Sequence, residues 1–365
     1  MRHNNNHIPT VLMAMMFFAV VYRGPSLPGE IREWFSVFFE IALSMGLAAI
    51  IWNYNKWISS FLILVTVSMF YPCYGLMGYL AGKAVFNGCL WYLFIVMFFS
   101  VHNLNTIYKT LRVFAYFHAA IVILQKLGLA GLFSVPHPTG LMANPLEVSA
   151  LLCFCLPAFL VLKRKSLWLI LIPLSGIVIV KQFLGIASLG AGAVFYAVLV
   201  YRAYWTIGVV VALSAVWWMF LDAPGIEHRF FVWKKTLVAL KQHWIMGSGI
   251  GHWKTVFTIM PNGMFRVMEI DGKAWMTTHN DFLQVLFETG IGSVIIFLGY
   301  YIDVARKATK GMVLPLTALV IISAYSGCSF PMHIAPTATI AVTWLAILDI
   351  TLTQKENLKC QMTKQ

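Results

Sequence analysis

Charge is scarce in this sequence. Asp and Glu total 13 and Lys and Arg 26 in 365 residues, so 11% of the chain is charged, whereas a water-soluble domain carries about 25%. Too little polar surface is present to cover a chain of this length in water, which excludes a soluble enzyme or binding module. Long polar stretches are missing too, apart from one segment at 222–280, and no separate soluble domain is expected. The six cysteines mostly sit within or beside apolar runs. Cys153 and Cys155 form a C-x-C without other ligands nearby, and read as small buried hydrophobes, not a metal site or a disulfide framework. A complete dinucleotide fingerprint is also lacking. "GSGIG", Gly247 to Gly251, has neither a preceding strand nor the full spacing, and reads as a tight turn with close backbone packing.

What the chain has in quantity is apolar sequence, 60% of its residues. A helical crossing of a bilayer needs roughly 20 apolar residues. Hydropathy predicts twelve spans, at about 8–22, 34–52, 57–80, 85–101, 112–130, 145–162, 166–182, 184–201, 204–221, 281–301, 312–330 and 333–352. The expected fold is an all-α, polytopic membrane helix bundle forming a single integral membrane domain over 1–365, with one long outer loop between spans nine and ten. "MRHNNNHIPTVLMAMMFFAVVYRG" has the charge and apolar run of a signal peptide but no small-residue cleavage site, and reads as an uncleaved first helix.

Basic residues give an independent test of that plan. With the N-terminus in the cytoplasm, inner segments hold 14 of the 26 basic residues and short outer loops five, as the positive-inside rule requires. Both termini are then cytoplasmic, and the net charge of +13 becomes a topology signal, with no nucleic acid needed as a partner. Six of the ten histidines fall in or beside outer loops, so chemistry is expected on the outer face, away from ATP.

Within the long loop, "HRFFVWKKTLVALKQHW" spaces Phe230, Trp233, Leu237 and Leu240 at helical intervals with Lys234, Lys235 and Lys241 between them. That pattern predicts an amphipathic helix at the membrane surface. Arg229 begins it, beside His228. After the loop, "TTHNDFLQVLFETGIG" leads from polar residues straight into a span. Thr278 followed by Asp281 fits a capping box, which puts His279 and Asn280 in the first turn. Helix starts expose N–H groups and partial positive charge, a seat for phosphate. An imidazole there can also accept a proton near neutral pH. A cap needs Thr278 and Asp281 but not an imidazole, so His279 reads as functional. Asp281, Gln284 and Glu288 form a polar stripe entering the bilayer; for Gln284 and Glu288 a structural and a cavity-lining role both stay open. Glu147 lies near the outer end of the sixth span, facing the same side. Glu40 and His118 read as buried, paired polar groups, and Lys181 as a snorkelling cation at the outer surface.

Taken together, Arg229 and Trp233, the GSGIG turn with Phe257, "HNDFLQVLFETGIG" and "GLMANPLEVSALL" from Gly140 resemble the motifs of the O-antigen ligase and O-antigen polymerase superfamily of bacterial inner membranes. That resemblance implies a polyprenol-dependent glycosyltransferase. It would move a glycan from an undecaprenyl-diphosphate-linked donor to a sugar hydroxyl on lipid A core or another glycan, on the periplasmic side, with neither metal nor cofactor. His279 would orient or deprotonate the acceptor and Arg229 would hold the diphosphate. Lys181, Asn280, Asp281, Glu147 and Trp233 complete the expected site. One departure stands out. The family often has an S-R-G-like stretch near the eighth span, where this chain has Ser188, Leu189 and Gly190; Lys181 is the nearby cation that could substitute. The absence of a C-terminal extension disfavours the protein-glycosylating branch, and the H-N motif favours ligase over polymerase. A secondary transporter or flippase also fits twelve spans, but no internal repeat of the kind transporters show is visible.

Overall fold

A backbone entering a bilayer has to satisfy its N–H and C=O groups internally, which favours helices. The computed structural model describes residues 42–68, 76–100, 103–129, 137–203, 226–253, 269–270, 273–274 and 277–362, and these are helical almost throughout. In chain order the helices are α1 (Ala42–Trp52), α2 (Lys56–Ser68), α3 (Leu76–Phe98), α4 (Leu104–Lys126), α5 (Pro145–Cys155), α6 (Leu171–Val180), α7 (Phe183–Tyr201), α8 (Ile226–His243), α9 (Asp281–Thr289), α10 (Ile291–Lys307), α11 (Val313–Ser326) and α12 (Ala335–Met362). Among the described residues, one small hairpin pairs β1 (Glu269–Ile270) antiparallel with β2 (Lys273–Ala274). Four segments among the described residues are long and apolar enough to cross a membrane: Ala81–Phe98, Leu104–Lys126, Phe183–Tyr201 and Ala335–Gln354. The predicted spans at 8–22 and 204–221, together with Glu40 and Phe257, lie outside the described residues.

α5 is the centre of the packing. Asn144 accepts the Glu147 N–H as its N-cap, Pro145 occupies the first turn, and every residue from Val148 to Cys155 is buried. Pro at the first helical position costs no hydrogen bond, so the "NP" pair is a helix start. Trp344 of α12 donates its indole N–H to the Phe154 carbonyl at 2.8 Å, and Tyr325 of α11 donates its hydroxyl to the Leu146 carbonyl at 2.7 Å. α7 lies against α11 closely enough that a Cβ on Gly192 would meet Ile321 Cγ1 at 2.3 Å, the close approach that small residues allow between membrane helices. Cys89, Cys153 and Cys155 are free and buried, as their apolar setting predicts.

Three boundaries differ from the sequence reading. Residues 81–84 are not a loop: Lys83 lies inside α3, exposed on its side, where a long aliphatic stem tolerates an apolar surround. The expected span 281–301 is two helices, broken at Gly290, whose φ of 71° ends α9. Thr278 is not the N-cap. Asn280 is, its side-chain oxygen accepting the Leu283 N–H at 2.9 Å, while the Thr278 hydroxyl bonds the Asn280 backbone.

Candidate active site

α8, the start of α9 and the turn between α11 and α12 meet around His279. Arg229, one turn into α8, donates from a guanidinium N–H to the Cys328 carbonyl at 2.7 Å. Four residues on, Trp233 donates its indole N–H to the Thr278 carbonyl at 2.8 Å. The two side chains therefore tie one face of α8 to both strands of chain that bracket His279. The His279 ring stands edge-on to Phe330, centroids 4.7 Å apart. Its backbone is left-handed, at φ 53°, a conformation that costs a non-glycine residue about 1–3 kcal/mol and persists where surrounding contacts enforce it. Here they are the Trp233 bond on one side and the Asn280 cap on the other.

Electrostatics keep the imidazole neutral. Burial, reinforced by the nearby Arg229 charge, pushes the His279 pKa down to about 4. Burial also draws the Arg229 pKa below its ordinary value, yet a guanidinium remains charged at neutral pH. One fixed cation and one neutral proton acceptor thus sit together at a helix start.

The start of α9 is anchored elsewhere as well. Asp281 accepts from the Met332 N–H (3.1 Å) through one carboxylate oxygen and contacts His333 Nδ1 (2.8 Å) through the other, and it is buried. Its position at the first helical residue suits a negative charge. Glu147, on α5, holds the Asn144 side chain at 2.6 Å and the Ala143 N–H at 3.1 Å. Lys181 is exposed at the junction of α6 and α7 with φ 56°, on a different pair of elements from α8 and α9. The geometry brings Arg229, Trp233, His279, Asn280 and Asp281 together and gives Trp233, Asn280, Asp281 and Glu147 bonds within the protein. Phe330, the Cys328 carbonyl and His333, which the sequence reading did not attach to His279, complete the surroundings. The one sequence hint was that His333 is among the six histidines that fall in or beside outer loops.

The lower half of α9 is bolted by the glycine turn. Ser248 and Gly249 donate their N–H groups to the Phe287 and Glu288 carbonyls, and Ile291 donates to Trp244, at 2.8–2.9 Å. These carbonyls are ones a helix end leaves unpaired. The Glu288 carboxylate accepts the Gly251 N–H (2.9 Å), the Trp253 N–H (3.3 Å) and the Gln284 side-chain amide (3.1 Å), and Gln284 accepts the Thr278 N–H at 3.2 Å. Gln284 and Glu288 are therefore structural, and the Gly247 N–H is spent on His243 of α8 and those of Ser248, Gly249 and Gly251 on α9, which argues against a phosphate-cradle reading of GSGIG. Replacing Glu288 by Ala removes the acceptor of the Gly251 and Trp253 N–H groups and of the buried Gln284 amide, at about 1–3 kcal/mol for each donor left unpaired. Thermal unfolding of the detergent-solubilised variant is expected at a clearly lower midpoint, and an unchanged midpoint would contradict this role.

Apolar helices packed around a polar helix start define a membrane protein whose Arg229, His279 and Asp281 side chains gather around that start. Residues 148–298 match the family described as O-Antigen ligase, a stretch that takes in Arg229, Trp233, the glycine turn and His279. Over this stretch, 151 of the 365 residues, the chain is similar to the O-antigen ligase superfamily. No curated protein matches the sequence significantly.

Proposed function

We propose that the protein transfers a glycan from an undecaprenyl-diphosphate donor to a hydroxyl of lipid A core, on the outer face of the bacterial inner membrane. The reading is carried by one observation: neutral His279 and charged Arg229 are held side by side at the start of α9 by bonds to other parts of the chain. The acceptor hydroxyl oxygen attacks the anomeric carbon as the bond from that carbon to the diphosphate oxygen breaks, which inverts the centre. The hydroxyl proton passes to His279. The departing diphosphate keeps the electron pair and gathers negative charge, which Arg229 stabilises. A diphosphate bound beside Arg229 also offsets the positive field on His279, raising its basicity when a base is needed. Diphosphate is a good leaving group, so the scheme calls for neither metal nor nucleotide. Asn280, Asp281 and Trp233 keep the site in shape, while Glu147 serves the cap of α5 and Lys181 stands on the α6–α7 junction as a charge for a more distant part of the donor.

Arg229 bonds Cys328 through one of its five N–H donors, which fixes the guanidinium plane for a phosphate. Arg229→Lys keeps the charge and loses the fork. Transfer is expected to fall about 10–100-fold with a raised KM for the donor; wild-type kinetics in this variant would remove Arg229 from diphosphate binding. The deciding assay gives purified protein an undecaprenyl-diphosphate-linked glycan and, in separate reactions, lipid A core or a second lipid-linked glycan. Transfer to the former marks a ligase, transfer to the latter a polymerase of the same superfamily. Absence of diphosphate release with either acceptor would overturn the transferase reading.

A further inference from the structure

A second polar site lies at the other end of the same helices. α10 starts beside the glycine turn and ends at Lys307. Asp349 sits 14 residues along α12 from Ala335, roughly 21 Å at 1.5 Å per residue. Between them, with the α1–α2 turn, is a cavity of about 300 Å³ lined by Lys56, Trp57, Tyr300, Asp303, Lys307 and Asp349 among others. These residues lie on the α1–α2 turn, α10 and α12, not on α8 or the start of α9.

The floor of this cavity is built and unfinished. Asp349 is buried, and Asn55 (2.7 Å) and Tyr92 (2.8 Å) both donate to its Oδ2. Asn55 is itself aligned by the Trp57 and Ile58 N–H groups. Tyr300 is only 8% exposed, and its hydroxyl has no hydrogen-bond partner. A buried hydroxyl left unbonded costs about 1–3 kcal/mol, so its presence against the cavity points to a group supplied from outside. That group should accept from Tyr300 and donate to the neighbouring carboxylate, which a hydroxyl does and an ammonium cannot.

The rim differs from the floor. Lys307 reaches Asp303 at 3.5 Å, Lys56 lies over the Trp57 ring at 5.1 Å, and Trp52 is 54% exposed beside them. Two lysines above a floor that wants a hydroxyl match a phosphate ester with a hydroxyl a few bonds away. Tryptophan and lysine at a helix end are also the residues found at headgroup depth.

We propose that this cavity binds a hydroxyl-bearing phosphate ester, with its hydroxyl between Tyr300 and Asp349 and its phosphate at Lys56 and Lys307, the chemistry of a phosphoglycerol lipid headgroup or of a free glycerol or sugar phosphate. Purified full-length protein in detergent is titrated with dioleoylphosphatidylglycerol or dioleoylphosphatidylethanol, which keeps the charge and lacks the hydroxyls, and retention is read by native mass spectrometry. The wild type should hold the phosphoglycerol lipid about fivefold more tightly, the value of one hydrogen bond. Tyr300→Phe should diminish that preference, leaving only the bond to Asp349, without lowering the melting midpoint, because the hydroxyl it removes is unbonded in the protein. Lys56→Ala with Lys307→Ala should weaken both lipids. Competition by millimolar glycerol 3-phosphate identifies a free ester as an occupant, and its failure identifies the lipid. Equal retention of the two lipids by the wild type, or an undiminished preference in Tyr300→Phe, overturns the proposal.

Discussion

Replacing His279 with Ala is expected to lower glycan transfer by about 10²–10⁴-fold, the usual contribution of a positioned proton acceptor, while the protein still folds. The fold tolerates the change because the structural work around His279 is done by its neighbours. Trp233 bonds the Thr278 carbonyl, Asn280 caps α9 and Asp281 ties the helix start to Met332 and His333. Removing the ring also releases the left-handed residue from its edge-on contact with Phe330. A pH series separates a chemical role from a structural one. With its pKa near 4, His279 stays neutral, and so able to accept a proton, down through pH 5. Transfer limited by this group, read as kcat/KM, should be flat from pH 8 to about pH 5 and fall only as pH approaches 4. Stability moves in the opposite sense to that of a group gaining a partner. The native pKa lies below the unfolded value of about 6.5, so the unfolded chain takes up the proton first. The stability contributed above about pH 6.5 is lost as pH falls toward 4. His279→Ala should be less acid-sensitive over that window than the wild type. A variant with full activity, or with an unaltered acid-stability profile, would sink the assignment.

The second large effect is expected at two glycines far less conspicuous than the histidine. A Cβ on Gly247 would lie 2.2 Å from the Glu288 carbonyl oxygen, and one on Gly290 would lie 2.1 Å from the Ile245 carbonyl oxygen. In each case the obstacle is backbone, which cannot turn aside. Both residues also have φ near 70°, where a side chain is strained whatever the space. Gly247→Ala and Gly290→Ala should each destabilise the protein by more than about 3 kcal/mol, the strain and the collision adding. Loss of folded protein on size-exclusion chromatography is the expected readout. Gly128 supplies the control: its φ is 70° but a Cβ there meets nothing within 4 Å, so Gly128→Ala should cost only the conformational strain, about 1 kcal/mol. Similar behaviour of all three variants would show that close approach is not what the turn provides.

The glycine turn was legible because Gly, Ser and Gly at that spacing have few other uses once strand and fingerprint are missing. Buried cysteines and the α8 helix were legible for the same kind of local reason: each is a matter of neighbours in sequence. The α8 pattern gave the helix but not which side is covered. Val232, Thr236 and Ala239 are buried while Phe230 and Leu237 stay about half exposed, so the larger apolar residues face outward. What could not be read is partnership at long range. Arg229 is fixed by a carbonyl 99 residues away, and a carbonyl is carried by every residue type, so Cys328 left no mark. The break at Gly290 was hidden for a related reason. "ETGIG" reads as continuous apolar helix until the turn at 244–249 arrives to take up its hydrogen bonds. Lys83 misled in the other direction, a charge that suggested a loop and instead sits on the side of α3.

The matched segment ends at residue 298, but the Cys328 carbonyl, the Phe330 ring and the Met332–His333 pair that seat Arg229, His279 and Asp281 come after it. The histidine and arginine are thus portable in name only. A chimera that transplants residues 148–298 into a relative would inherit the proposed reactive groups without their cushion, and a graft meant to carry specificity from one protein to another has to bring the short turn at 327–334 along with them.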